Sequence, residues 1–274
     1  MGIMAKIGFV VLSWNSAGYI EQCIRSICDC RNIKSYVCVV DNGSTDRTVE
    51  CIRSLELQKE YFKLDIIELP VNRGTTISRN LGIQRIPAEF NYICILDSDT
   101  VVNGEALAEM VNILAASPQN GIVGPALRGL NGKPQFSGRR IPLFWIKLVK
   151  AIPLHCLQTR ASAWETPQSI DKICPVGYLM SACWLVKREV FQNIGLLDEK
   201  IFYAPEDVEF CIRAWYGGYR VLYDSQVSII HAWQRISRKK LFSYHNFEHI
   251  KGLFYLYKKY DFWFSAKKIE RLIR

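Results

Sequence analysis

Four short apolar runs recur in the first hundred residues, at 6–12, 36–40, 63–69 and 91–96. The first, second and fourth are almost continuously hydrophobic, which suits strands covered on both faces. Between them, apolar residues return at helical spacing near 19–28, 46–55 and 75–85, and Ser44-Thr45-Asp46 supplies good helix-capping chemistry ahead of the second of these. Strand alternating with helix predicts right-handed βαβ units and a mostly parallel sheet. Past residue 123 the alternation fades. Residues 128–172 are irregular and rich in Gly, Pro and polar side chains, around an amphipathic stretch at 141–154. The pattern becomes regular again at 176–186, then predicts a helix over 205–216 and a strand over 219–223. The chain has no internal repeat and no low-complexity segment. The expected class is α/β: a Rossmann-like, mostly parallel sheet with flanking helices.

Each early run ends in a polar cluster: Ser13-Trp14-Asn15, then Asp41-Asn42-Gly43-Ser44, then Asn72-Arg73-Gly74, then Asp97-Ser98-Asp99. Ligands of open α/β sheets bind outside the carboxyl ends of the strands, so four such clusters would line one site. In extended backbone, residues i and i+2 project to the same side, and Asp97 and Asp99 can address one ligand. Two hard oxygen donors suit Mg²⁺ or Mn²⁺ bridging a diphosphate, whose departing charge such a cation neutralises. Standing alone, the pair would equally fit a capped turn before the helix expected from about residue 104. Asp41 fits both a tight turn with Asn42-Gly43 and an acceptor for a base N–H. Glu206-Asp207 opens a helix, where the N-terminal dipole favours the charged carboxylate, so Asp207 is expected to be ionised at neutral pH. A charged first helical turn would account for the same residues.

The strings VVLSWNSAGYIEQCIRSI, VVDNGSTDRTVE, NRGTTISRNLGIQ, ICILDSDTVV, GYLMSACWLVKREVFQNIGLLDE, PEDVEFCIRAWYGGYRVLY and IIHAW, in this order from about residue 7 to 233, resemble the family-2 glycosyltransferases of the GT-A fold. Bacterial rhamnosyltransferase-like polysaccharide enzymes are the nearest type. The resemblance implies that Ser13, Trp14, Asn15 and Asp41 hold the nucleoside, with Asp41 facing the base. It implies that Asn72, Arg73 and Gly74 help enclose the nucleotide, that Asp97 binds ribose or metal, that Asp99 binds the metal, and that His231 completes the metal shell. Glu206 and Asp207 match the catalytic acidic motif, Asp207 as general base of an inverting transfer. Arg73 departs from the family, which often has a smaller or apolar residue there, and this bears on donor preference. The implied donor is a UDP- or dTDP-linked sugar. The implied acceptor is a saccharide or a lipid-linked one, in cell-surface polysaccharide assembly.

Charge changes the picture at one end only. The net charge is +9, yet residues 231–274 alone hold eleven Lys and Arg against three Asp and Glu, leaving the body close to neutral. The expected organisation is a catalytic domain over 1–234, with 128–172 as an irregular acceptor-side insert, and a basic, helical, amphipathic extension over 235–274. Aromatics interleave with its lysines, and Phe144 and Trp145 sit beside Lys147 and Lys150 in the insert. An anionic membrane surface suits these segments, as does plain packing on the domain. No nucleic-acid motif accompanies them, so nucleic acid is not an expected partner. The ten cysteines lie mostly in apolar runs and lack C-x-x-C spacing, which fits a reduced compartment. With no stretch apolar enough to span a bilayer, the expected place is cytoplasmic, peripheral to the inner face of the membrane if the extension binds it. Two other readings stay open: a non-catalytic nucleotide-sugar scaffold, and a sugar nucleotidyltransferase, which lacks here the usual Gly-rich basic loop after the first strand.

Overall fold

The four early runs become strands in the computed structural model, which describes residues 5–57, 59–152, 154–166, 173–232 and 244–273. These strands are β1 (Ala5–Ser13), β2 (Ile33–Asp41), β3 (Phe62–Glu68) and β4 (Tyr92–Asp97), joined by α1 (Ile20–Cys28), α2 (Thr48–Arg53) and α3 (Thr75–Arg85). β1 pairs in parallel with β2 and β4, and β2 with β3. Next come β5 (Thr100–Val101), α4 (Gly104–Ala115), β6 (Asn120–Arg128), β7 (Pro134–Gln135), β8 (Gly138–Arg139), α5 (Phe144–Ala151) and α6 (His155–Glu165). They are followed by β9 (Cys174–Pro175), β10 (Tyr178–Leu179), β11 (Cys183–Lys187), α7 (Arg188–Ile194), α8 (Glu206–Tyr216), β12 (Arg220–His231), α9 (Tyr244–Tyr260) and α10 (Lys267–Ile273).

The main sheet runs β3-β2-β1-β4-β11-β6-β12-β5. It is parallel except for β11, antiparallel to β4 and β6, and β5, antiparallel to β12, in this central path. Strand alternation sorts the core into two layers. Ile7, Phe9 and Val11 of β1 meet α1 and α4 on one face, while Val10 meets the layer that holds α3, α7 and α8 on the other. Seven of the ten cysteines are buried, as the apolar runs around them imply.

The structure differs from the expected pattern where Gly and Pro interrupt it. β6 carries Gly121, Gly124 and Pro125, so its periodicity is broken, yet it is a central strand. Pro125 is tolerated because β12 bulges beside it, between Asp224 and Ser228. β12 extends to His231, well past the expected end. The regular stretch at 176–186 is two strands, since β10 leaves to pair with β8 before β11 enters the main sheet. The irregular insert contains two helices, and Glu165 at the end of α6 is buried against Lys147, at 3.0 Å, and Lys150.

The C-terminal helices complete the core. Leu256, Tyr257, Phe262 and Ile269 are buried in the same layer as α8. The Tyr257 hydroxyl donates to the Pro142 carbonyl at 3.0 Å, and Lys259 and Tyr260 both reach Glu209 Oε1 at 2.8 Å. Part of the extension's positive charge is thus spent internally, on a fully buried carboxylate. Among the described residues no helix is long and apolar enough to cross a membrane. The basic run at 235–240 lies outside the described residues, as do Trp233 and the expected boundary at 234.

Candidate active site

The carboxyl ends of the parallel strands open on a cleft of about 340 Å³ whose walls include Trp14, Asn72, Asp97, Asp99, Asp207 and His231. Gly74 and Glu206 also line it. Ser13, Asn15, Asp41 and Arg73 are not in its lining: Ser13 and Asp41 are buried beneath it, and Asn15 and Arg73 are exposed in the neighbouring loops. Ser13 Oγ donates to Asp41 Oδ1 at 3.0 Å, and Ser44 binds both Asp41 oxygens, through N at 2.9 Å and Oγ at 2.6 Å. Asn15 takes a left-handed φ of 50°, which Asn tolerates, and its Oδ1 accepts from Thr45 N at 2.8 Å. These bonds lock the β1 and β2 loops together.

Asn42, expected in a tight turn, also ties two loops together. Its Nδ2 donates to Asn72 Oδ1 at 3.0 Å and to the Gly74 carbonyl at 3.2 Å, and its Oδ1 accepts from Arg73 N at 2.8 Å. Gly74 has φ 84°, and a Cβ there would stand 2.3 Å from the Phe202 carbonyl oxygen. Only glycine lets this loop close against the segment ahead of α8, where Thr75 N donates to that same carbonyl at 2.7 Å.

On the opposite wall, β12 brings His231 beside the end of β4. His231 Nε2 lies 3.4 Å from Asp99 Oδ1, and one donor atom each from Asp97, Asp99 and His231 fall within 4.8 Å of one another. His231 Nδ1 meets Gln135 Oε1 at 2.9 Å, and when Nδ1–H donates there, Nε2 is left for a ligand. Two carboxylates and one oriented imidazole fit a divalent cation of the Mg²⁺ or Mn²⁺ kind. Burial pulls the His231 pKa down, but contact with Asp99 and the charge of Asp97 outweigh it, so the net shift is upward. The Asp97 carboxyl is also raised, by burial first, against the pull of Arg79.

Arg79 links this group to the acidic pair at the start of α8. Its Nη2 donates to Asp97 Oδ1 at 2.7 Å and its Nη1 to Glu206 Oε1 at 2.9 Å, and the side chain is almost fully buried. Glu206 Oε1 accepts a second bond from Ser181 Oγ at 2.9 Å. Glu206 is therefore engaged, whereas Asp207 lies half-buried in the wall, with Oδ1 accepting from Val208 N at 2.8 Å. Desolvation outweighs the helix start at Asp207 and lifts its pKa to about 6. It lifts Glu206 to about 7, where the charge of Asp207 adds to the effect of burial. Asp207 thus titrates higher than its place at a helix N-terminus suggested, and is still mainly ionised at neutral pH. The cleft can bind a cation and a diphosphate at one wall and accept a proton at the other.

The family model "Glycosyl transferase family 2" matches residues 9–195. The chain is 24% identical over 222 residues to the poly-beta-1,6-N-acetyl-D-glucosamine synthase of Staphylococcus aureus, covering 80% of this chain and 48% of that protein. It therefore spans about half the length of such relatives. It is 22% identical over 233 residues to the N-acetylglucosaminyl-diphospho-decaprenol L-rhamnosyltransferase of Mycobacterium tuberculosis, covering 81% of this chain and 74% of that one. Its fold is similar to that of the mannosyltransferase PcManGT of Pyrobaculum calidifontis, solved with GDP-Man and Mn²⁺, with a TM-score of 0.60 at 18% identity over 93% of this chain and 64% of that one. The architecture is that of the GT-A glycosyltransferases.

Proposed function

The chain belongs to glycosyl transferase family 2, and from there we propose that it moves a sugar from a UDP- or dTDP-linked donor to a hydroxyl of a saccharide or lipid-linked acceptor, with inversion, in cell-surface polysaccharide assembly. Residues 1–234 carry the transfer, 128–172 border the acceptor, and 235–274 hold the protein at the inner face of the cell membrane. One observation carries the reading: the Asp97–Asp99–His231 group and Asp207 face the same cleft, and Arg79 is bonded to the carboxylates of both walls.

Trp14, Asn72, Gly74 and Asp97 contact the nucleotide, while Ser13, Asn15, Asp41 and Arg73 keep the loops around the base in register. Asp41, expected to face the base, is buried with both oxygens engaged by Ser13 and Ser44. Asp97, Asp99 and His231 would hold Mn²⁺ or Mg²⁺, which would supply Lewis-acid neutralisation of the diphosphate's charge. Asp207 takes the proton of the acceptor hydroxyl as that oxygen bonds to C1, and the C1–O bond to the diphosphate breaks with its electron pair leaving on the diphosphate. Attack opposite the leaving group inverts C1. Glu206, already bonded to Arg79 and Ser181, positions Arg79 and does not receive that proton.

Calorimetry with UDP, dTDP and GDP, with and without Mn²⁺, tests the donor side. GDP belongs in the set because the archaeal mannosyltransferase was solved with a guanine nucleotide. Metal-dependent binding of one diphosphate, lost in Asp99→Ala, is expected. Asp207→Asn should keep that binding and lower transfer by roughly 10²- to 10⁴-fold. A protein that binds none of the three would return the chain to a scaffold role.

A further inference from the structure

We propose that the outward faces of α5 and α9 form one surface that seats the protein on an anionic phospholipid bilayer. The acceptor side of the cleft then lies at the lipid headgroups, and the acceptor is a saccharide carried on a membrane lipid. This deepens, and rests on, the transfer reading of the cleft.

The face is built at helical spacing. On α9, Phe247, Ile250, Lys251, Phe254 and Lys258 stand at i, i+3, i+4, i+7 and i+11, and all five are exposed, Phe247 to 65%. The opposite side of the helix carries the buried Glu248, Gly252 and Leu256. On α5, Trp145 and Leu148 are exposed one turn apart. Phe144 joins the two helices, its ring 6.1 Å from Phe254 and 6.5 Å from Phe264, which is itself 76% exposed. Aromatic and aliphatic side chains standing in water on two adjacent helices cost free energy that insertion into a headgroup boundary recovers.

Charge selects the occupant. Lys251 and Lys258 lie within the apolar stripe, and Lys267, Lys268 and Arg271 are exposed on the following helix. α5 has no carboxylate, and the one on α9, Glu248, is 7% exposed and lies 3.4 Å from Lys251 Nζ, which it partly neutralises, so among the described residues the outward faces of these two helices are net basic and apolar. A second copy of this chain meeting the face about a twofold axis would set this basic surface against an identical basic surface. An anionic bilayer satisfies the lysines and the apolar groups together.

The placement also bears on the acceptor. At Gly252 the backbone of α9 lies against the segment ahead of α8, where a Cβ would stand 2.3 Å from the Ala204 carbonyl oxygen and 2.9 Å from Pro205 Cδ. Glu206 and Asp207 follow directly. The lysine-bearing face is thus about one helix diameter, ~10 Å, beyond the chain that carries the proposed base.

Co-sedimentation of the full chain with vesicles of phosphatidylglycerol and phosphatidylcholine, against phosphatidylcholine alone, tests the surface. The protein should bind the anionic vesicles, and high salt should weaken the binding. The charge reversal K251E/K258E should weaken it by roughly tenfold or more, and F247S/I250S/F254S should do likewise, with Mn²⁺-dependent nucleotide binding unchanged in both. The lysine pair keeps the test decisive if the apolar triple variant fails to fold. Absence of binding to anionic vesicles, equal binding by the variants, or a dimer that the triple variant splits without any vesicle binding would each overturn the proposal. Loss of nucleotide binding in the unaltered protein would overturn the transfer reading instead, and the two failures are read in separate assays.

Discussion

Burial within the cleft sets the acidic pair apart from ordinary surface carboxyls. Asp207 sits at about 6 and Glu206 at about 7 because the charged forms lose water, while Arg79 and the Val208 N–H recover only part of that loss. A general base acts deprotonated, so a raised pKa moves the acid limb of the rate profile upward. kcat/KM should therefore fall as pH drops through about 6, whereas an unperturbed Asp would hold its activity to near pH 4. A profile measured at saturating metal reads this directly, and a flat rate down to pH 5 would remove Asp207 as the base. Asp97, Asp99 and Asp207 were legible in the sequence because each closes an apolar run or opens a helix. Arg79 and Asn42 were not. Arg79 finds Glu206 across 127 positions and Ser181 across 102, and nothing local announces those pairings. Asn42 looked like half of an Asn-Gly turn, which it also is.

α3 shows how an element can be found correctly and still be misjudged. Its helical spacing was readable, but its buried face is largely polar, with Thr76, Ser78, Arg79 and Asn80 all nearly solvent-free. Each of these reaches a distant partner: Thr76 Oγ1 donates to the Ile201 carbonyl at 2.6 Å, and Asn80 Nδ2 to the Leu197 carbonyl at 2.9 Å, while Arg79 is bonded through both Nη atoms but not through its buried Nε. Buried polar groups are tolerable only when so bonded. The entry to this helix depends on Gly74, whose positive φ and contact with Phe202 exclude a side chain. Gly74→Ala should lower stability by about 1–3 kcal/mol, from backbone strain and the clash. It should also weaken nucleotide binding, which urea unfolding and calorimetry of one preparation would resolve. Unchanged values would mean that the loop can open without cost. The strands broken by Gly or Pro, β6 above all, escaped the sequence reading because pairing with β11 and β12, not local periodicity, makes them strands.

Across the molecule, the C-terminal helices belong to the same hydrophobic layer as α8. Leu256 is fully buried there, and Leu256→Ala should cost about 2–5 kcal/mol. The measurement is the urea midpoint of the whole chain: a single cooperative transition moved downward is expected, and an unmoved midpoint would make α9 a separately folding appendage. The charge asymmetry of the sequence pointed to this segment, but composition could not divide its lysines between Glu209 inside and solvent outside. The α3 network, finally, limits how this chain can be recombined with its relatives. Residues 72–85 and 197–206 are bonded to each other at Thr75, Thr76, Arg79 and Asn80. Thr75, Thr76 and Asn80 donate to the backbone carbonyls of Phe202, Ile201 and Leu197, but Arg79 needs the Glu206 side chain, so a chimera that exchanges one segment for a sequence lacking either partner leaves the other unpaired in a dry interior. Grafting a new donor preference therefore requires both segments to travel together, as one heritable block separated by more than a hundred residues of chain.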